Sequence, residues 1–145
     1  MQNFPHHYKV VATAADDGEV SLVGDGLDAI PSLPPVEFGG PGDRWSPETL
    51  LVASVADCFI LTFRAITRAS KFSWNSLKCE VEGILEHSEG KTKFTKFIIH
   101  ATLSVSPDTN EERAHRLLEK AEESCLITNS LSTTPQLEAV LLKVP

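Results

Sequence analysis

Two segments in the second half of the chain alternate apolar and polar residues with a period of two. Residues 77–85 and residues 97–105 both place an apolar or small residue at every second position. Such alternation indicates strands with one buried and one solvated face, as in an antiparallel sheet. Glu89-Gly90 lies between the two segments and supplies a turn signal. We therefore expect an antiparallel hairpin here.

The longest apolar stretch predicts a helix that begins at Ser46-Pro47-Glu48 and extends to about Ser70. Serine is a favoured N-cap, proline suits the first helical position, and a glutamate is stabilised in the positively polarised first turn. Residues 50–63 are apolar on nearly every side of this helix. That pattern is typical of a helix buried within a core on all sides.

A second helix is expected after Pro107, with Asp108, Thr109 or Asn110 as its cap. An apolar stripe at helical spacing extends along it to Cys125, where the helix should end. The stripe consists of Ala114, Leu117, Leu118, Ala121 and Cys125.

The remaining segments complete the order of elements. Residues 7–15 and 19–23 are rich in strand-forming residues, and Asp16-Asp17-Gly18 provides a hairpin turn between them. Prolines and glycines dominate residues 24–43 and indicate a long loop, and residues 137–144 predict a last strand. The order ββ, loop, α, ββ, α, β indicates an α+β fold in one domain, residues 1–145.

The charge composition disfavours nucleic acids and anionic membranes as partners. The chain has 145 residues, and 20 acidic against 13 basic side chains give a formal net charge of −7. Because binding to phosphate requires clustered lysine or arginine, nucleic-acid binding and anionic membranes are disfavoured. The N-terminal residues do not match a secretory signal, so we expect a cytoplasmic protein.

Three cysteines suggest redox chemistry. Cys58 lies within the first helix, Cys125 lies at the end of the second, and Cys79 lies on a strand. Each is most simply a small core residue. However, a pair of thiols on two helices that pack on one sheet would suit peroxide reduction. One thiolate attacks the peroxide, and the second thiol condenses with the resulting sulfenic acid. Cys79 has no partner motif, and we interpret it as a packing residue.

A thiolate of this kind requires a nearby cation, and the candidates are Arg44, Arg64 and Arg68. Glu48 is suited to orient an arginine through a bidentate pair. Ten positions separate Glu48 from Cys58, which is about 15 Å along a straight helix. If both serve one site, Glu48 and Arg44 should come from a second subunit, and the protein should be a homodimer.

Cofactor and metal motifs are absent from the sequence. The five histidines are scattered, without a spacing that suits zinc, and no phosphate-binding or dinucleotide-binding fingerprint occurs. We therefore expect neither a metal nor a cofactor.

Two sequence blocks carry a family resemblance. The first is Ser46-Pro47-Glu48-Thr49-Leu50-Leu51, which leads to Ala56-Asp57-Cys58-Phe59, and the second is Cys125-Leu126-Ile127-Thr128-Asn129-Ser130-Leu131. They resemble the two cysteine-bearing motifs of the OsmC/Ohr family of peroxide-detoxifying proteins. The resemblance implies antiparallel sheets wrapped around two central helices in an intertwined homodimer. It also implies organic hydroperoxides as substrates and a dithiol reductant, such as a lipoylated protein.

By motif match, Cys58 is the peroxidatic cysteine, Cys125 the resolving cysteine and Glu48 the carboxylate that holds an arginine. Family members place that arginine in the N-terminal hairpin or in the loop before the Pro-Glu step. Because residues 10–24 contain no arginine, Arg44 is the upstream candidate.

Two further hypotheses remain open at this point. One is a non-catalytic protein that binds a small apolar ligand at the dimer interface, with structural cysteines. The other is a structural dimer module of a larger assembly.

Overall fold

The computed structural model describes residues 1–145, which divide into two units, residues 1–51 and residues 52–145. The boundary falls inside the first helix. The elements, in chain order, are β1 (Val11–Thr13), β2 (Val20–Val23), β3 (Ile30–Ser32), α1 (Pro47–Ser70), β4 (Ser76–Ser88), β5 (Lys91–Val105), α2 (Glu111–Ser124), α3 (Leu126–Asn129) and β6 (Gln136–Lys143).

The first unit contains a small antiparallel sheet in the order β1-β2-β3. The predicted hairpin is confirmed, since β1 pairs with β2 across the expected turn, in which Gly18 adopts a positive φ of 90°. The prediction of an unbroken loop over residues 24–43 is wrong, because β3 and a short 3-10 turn at Val36–Phe38 lie within it. Pro31 is tolerated in β3 because β3 is an edge strand.

The second unit is built on a sheet in the order β4-β5-β6. The long β4–β5 hairpin turns at Glu89 and Gly90, both with positive φ, as the sequence predicts. In contrast, β6 pairs with β5 in parallel, which departs from the expected antiparallel arrangement. The chain reaches β6 through α2 and α3, and a crossover of this kind allows parallel pairing.

Helix α1 has the predicted bounds because its cap operates as expected. The Ser46 hydroxyl accepts a hydrogen bond from the backbone N–H of Thr49 at 3.1 Å, and Pro47 is the first helical residue. By length and composition alone α1 could cross a membrane, a test that core helices of soluble proteins also pass.

Fewer residues of α1 are buried than the sequence pattern predicts. Only Val55, Phe59, Phe63 and Thr67 are buried, while the side chain of Leu61 is 51% exposed. The prediction of a helix buried on all sides is therefore wrong for a single chain.

The core of the second unit lies between helices α1 and α2 and the inner face of the β4-β5-β6 sheet. Asn110, one of the three predicted caps, starts α2 by accepting from the backbone N–H of Arg113 at 2.9 Å. Fully buried residues of the core come from α1, β5 and α2; they are Val55, Phe59, Phe63, Phe97, Ile99, Ala101, Leu103, Val105, Ala114, Leu118, Ala121 and Cys125.

Candidate active site

Cys58 and Cys125 approach each other closely in the second unit. Cys58 is partly buried on α1, and Cys125 is fully buried at the junction of α2 and α3. Both thiols are free, and they are near enough that each shifts the pKa of the other. The structure thus brings together the two cysteines that the sequence singled out.

The position of Cys125 depends on how α2 ends. Cys125 caps the end of α2 and also precedes the first residue of α3, with an extended backbone (φ −67°, ψ 111°). The side-chain amide of Asn129 donates to the Glu123 carbonyl at 3.1 Å, and the Thr128 hydroxyl donates to the Cys125 carbonyl at 3.1 Å. These bonds satisfy carbonyls at the helix end and stabilise the tight turn that holds the thiol inward.

The sulfur of Cys58 lies among several polar groups. The hydroxyl oxygen of Thr62 is 3.7 Å from this sulfur, and the backbone N–H groups of Ile127 and Leu126 and the thiol of Cys125 also lower the pKa of Cys58. The backbone donors are available because the first N–H groups of a helix, here α3, have no partner within it. Cys58 therefore occupies a site that stabilises a thiolate.

These bonds give the two thiols opposite pKa shifts. Burial raises the pKa of the Cys58 thiol, but the hydrogen bonds from Ile127, Cys125, Thr62 and Leu126 together outweigh burial and leave this pKa below its ordinary value. Burial raises the pKa of Cys125, and the adjacent Cys58 sulfur raises it further. The partly exposed thiol is thus the more acidic one.

Cys79 has a different environment. It lies on the inner face of β4, opposite the buried Ala101 of β5. Burial, with a smaller contribution from Cys125, raises the pKa of Cys79 to about 12. This thiol is therefore protonated at neutral pH, as suits a packing residue.

A cleft of about 460 Å³ opens beside Cys58. Its walls are largely apolar, and Asp57 is the charged residue among them. The lining residues are Ser54, Asp57, Cys58, Leu61, Thr62, Ala65, Leu126 and Ile127. The cleft thus presents a largely apolar surface next to the Cys58 sulfur.

Glu48 belongs to the first unit and lines an apolar cavity of about 340 Å³. Its Oε2 atom is buried and has no hydrogen-bond partner. Pro34, Pro35 and Phe38 contribute to the wall of this cavity. A buried carboxylate oxygen of this kind costs free energy unless a donor or cation reaches it.

Arg44 does not pair with Glu48. Its Nε donates to Oε1 of Glu19 at 2.7 Å, and its Nη1 lies 3.3 Å from Oδ2 of Asp43. The expectation that Glu48 orients this arginine is thus not met, because Glu19, 25 positions earlier, already does so. The alternative candidates Arg64 and Arg68 are exposed on α1.

Comparisons with known proteins identify the family of this chain. The profile of the OsmC-like protein family matches residues 40–140. The uncharacterized protein YmaD of Bacillus subtilis is 30% identical over 107 residues, which cover 72% of this chain and 71% of YmaD. The chain therefore belongs to the OsmC-like protein family, and the resemblance seen in the sequence is confirmed.

Solved structures confirm the fold. An OsmC-like protein of unknown function from Vibrio cholerae superposes with a TM-score of 0.81 at 21% identity, over 94% of this chain and 100% of that one. An organic hydroperoxide resistance protein, OsmC, from Legionella pneumophila superposes with a TM-score of 0.76 at 25% identity, over 98% of this chain and 100% of that one. The predicted α+β class and OsmC-like fold are thereby confirmed.

Proposed function

We propose that this protein is a thiol-dependent peroxidase that reduces organic hydroperoxides, with Cys58 as the attacking residue and Cys125 as the resolving residue. The main support is the pair of neighbouring free thiols, in which the more accessible sulfur has the lowered pKa. The apolar cleft beside Cys58 and the name of the Legionella relative support an organic hydroperoxide as substrate.

The first step oxidises Cys58. Its thiolate attacks the terminal oxygen of the hydroperoxide R–O–OH, so an S–O bond forms while the O–O bond breaks. The sulfur loses two electrons and becomes a sulfenic acid, and the leaving alkoxide takes up a proton to give the alcohol ROH. The N–H groups of Leu126 and Ile127 stabilise the thiolate before attack.

The second step uses Cys125. Its sulfur displaces hydroxide from the Cys58 sulfenic acid, so that an S–S bond forms, the S–O bond breaks and water leaves with the thiol proton. The raised pKa of Cys125 suits this order, because a protonated thiol competes poorly for peroxide. A dithiol reductant, such as a lipoylated protein, then reduces the disulfide by thiol–disulfide exchange.

Glu48 and Arg44 enter the proposal through a second subunit. In a homodimer, the partner chain would supply both residues to the cleft beside Cys58 and place a guanidinium near the thiolate. The buried, unpartnered Oε2 of Glu48 supports this arrangement, because such an oxygen requires a donor. Arg44 is already oriented by Glu19.

A stoichiometric oxidation experiment tests the proposal. One equivalent of cumene hydroperoxide should join Cys58 to Cys125, and mass spectrometry after alkylation should detect the linked peptides. Cys125→Ser should stop the reaction at a sulfenic acid that a dimedone probe traps on Cys58. Cys79→Ser is the matched control and should leave the linkage intact. Oxidation of Cys79 alone, with the other two thiols free, would overturn the assignment.

A second candidate function is non-catalytic binding of a small apolar ligand at the dimer interface, and the two largely apolar cavities favour it. In that case, Cys58→Ser should leave the affinity for an apolar fluorescent probe unchanged, and no dithiol should support peroxide turnover. Turnover that is lost in Cys58→Ser would exclude this candidate.

A further inference from the structure

The cleft beside Cys58 has one charged lining residue, and its charge is negative. Asp57, the immediate neighbour of Cys58, lines the cleft and is exposed. The other lining residues are apolar or hydroxyl-bearing, apart from Cys58 itself, and no lysine, arginine or histidine is among them. A molecule that enters therefore meets an apolar wall with one negative side chain next to the reactive sulfur.

Within one chain, no cation lines the cleft together with this carboxylate. Glu19 and Asp43 already pair with Arg44, so the arginine that the proposed function assigns to the site brings no unmatched positive charge. Arg64 and Arg68 lie on later turns of α1 and do not line the cleft. The formal net charge of −7 over the whole chain also disfavours the approach of anions.

We propose that this cleft selects uncharged hydroperoxides over anionic ones, and that Asp57 is the residue that determines this specificity. The inference rests on the proposed peroxidase function. Asp57 is exposed, so water and salt screen part of its charge, but a carboxylate on a substrate held beside it in the cleft would still be repelled. An alkyl or aryl group without charge makes the same apolar contacts and is not repelled.

A matched pair of substrates tests this selection. Cumene hydroperoxide and its para-carboxylate have the same peroxide group and differ by one negative charge on the ring. We expect kcat/KM of the wild-type protein to be roughly fivefold to tenfold higher for the neutral compound at low ionic strength. The ratio should shrink as salt is added, because screening weakens the repulsion.

Substitutions of Asp57 test whether this residue causes the preference for the neutral substrate. Asp57→Asn should bring the ratio close to one, and Asp57→Lys should favour the carboxylate. The ratio is the readout because Asp57 adjoins Cys58, and its replacement will also change absolute rates. Glu119→Gln removes one negative charge from an exposed position of α2 and should leave the ratio unchanged.

The outcomes separate this inference from the proposed function. Equal kcat/KM values for the two compounds, or a ratio that Asp57→Asn leaves unmoved, would overturn the assignment to Asp57 while peroxidase activity stands. If the wild-type protein reduces neither compound, the proposed function fails, and the specificity inference fails with it.

Discussion

The Cys58 sulfur is subject to two opposing effects. Partial burial disfavours its negative charge, and the hydrogen bonds that point at it favour that charge. Two donors are backbone N–H groups of α3, one is the Cys125 thiol and one is the Thr62 hydroxyl. Cys125 is fully buried, and burial together with the adjacent Cys58 sulfur outweighs the hydrogen bonds from Thr128, so its pKa is raised. The different surroundings of the two sulfur atoms therefore suit Cys58 to be the nucleophile and Cys125 to be the resolving thiol of the proposed reaction.

The opposite pKa shifts predict an order of alkylation by iodoacetamide. A lowered pKa leaves more of Cys58 as thiolate at neutral pH, whereas Cys79, with a pKa of about 12, has almost none. Cys58 should therefore react first as pH rises from about 5 to 10, and Cys79 last. Peptide mass spectrometry at each pH measures this order.

Thr62→Val extends the same experiment. It removes one hydrogen bond from the Cys58 sulfur, so the titration midpoint should rise and alkylation at pH 7 should slow roughly twofold to fivefold. Thr102→Val makes the same substitution on the other face of the sheet and should not change the rate. A Cys58 midpoint at or above the ordinary thiol value would contradict the hydrogen-bond account.

Residue types and spacing identified part of this site. The two cysteines and Glu48 lie in motifs that the sequence displays, and the pairing of the cysteines was implied by the resemblance of those motifs to the family. Glu19 was missed, because nothing in an acidic hairpin links it to an arginine 25 positions later. Thr62 was recognisable in principle, since it follows Cys58 by four positions on a helix. The backbone donors of α3 have no side-chain signature at all.

The contact between α1 and β4 depends on the absence of a side chain at Gly83. A Cβ at this position would lie 2.8 Å from Cγ2 of Val52 and about 3 Å from the rings of Phe94 and Phe97. Gly83→Ala should therefore lower the free energy of unfolding by about 1–3 kcal/mol, measured by denaturant titration. Lys78→Ala, on the outer face of β4, should change it by less than about 0.5 kcal/mol. Equal effects would show that this contact is not tight.

The elements that depend on local sequence signals were predicted more accurately than the others. The Ser46 cap, the Asn110 cap and the Glu89-Gly90 turn act within a few residues, and the structure has all three where the sequence predicted them. The direction of β6 depends instead on pairing with β5 across a long crossover, which no local pattern encodes. β3 was hidden by Pro31, which an edge strand accepts.

At the scale of the whole molecule, α1 has more apolar surface than one chain covers. Its sequence is apolar on nearly every side, yet a single stripe of it is buried, and Leu61 on another side is 51% exposed. Exposed apolar surface of this kind favours association. A second copy of the chain is the partner that we propose, since the proposed site also requires residues from one.

Mixing two inactive variants tests whether the site is shared between subunits. Cys58→Ser lacks the nucleophile, and Arg44→Ala lacks the proposed activating cation. In a mixed dimer, the intact Cys58 of one chain would meet the intact Arg44 of the other, so one of two sites would be complete. Random mixing of equal amounts by co-refolding should thus restore about a quarter of wild-type peroxidase activity, since half of the dimers are mixed. Light scattering should show a dimer in every sample. The control is a mixture of wild type with the Cys58→Ser/Arg44→Ala double variant. In its mixed dimers, the intact Cys58 faces a chain that lacks Arg44 and the intact Arg44 faces a chain that lacks Cys58, so neither site is complete. Activity no greater than the sum of the separate variants would place Arg44 and Cys58 of one site on the same chain, or remove Arg44 from the mechanism.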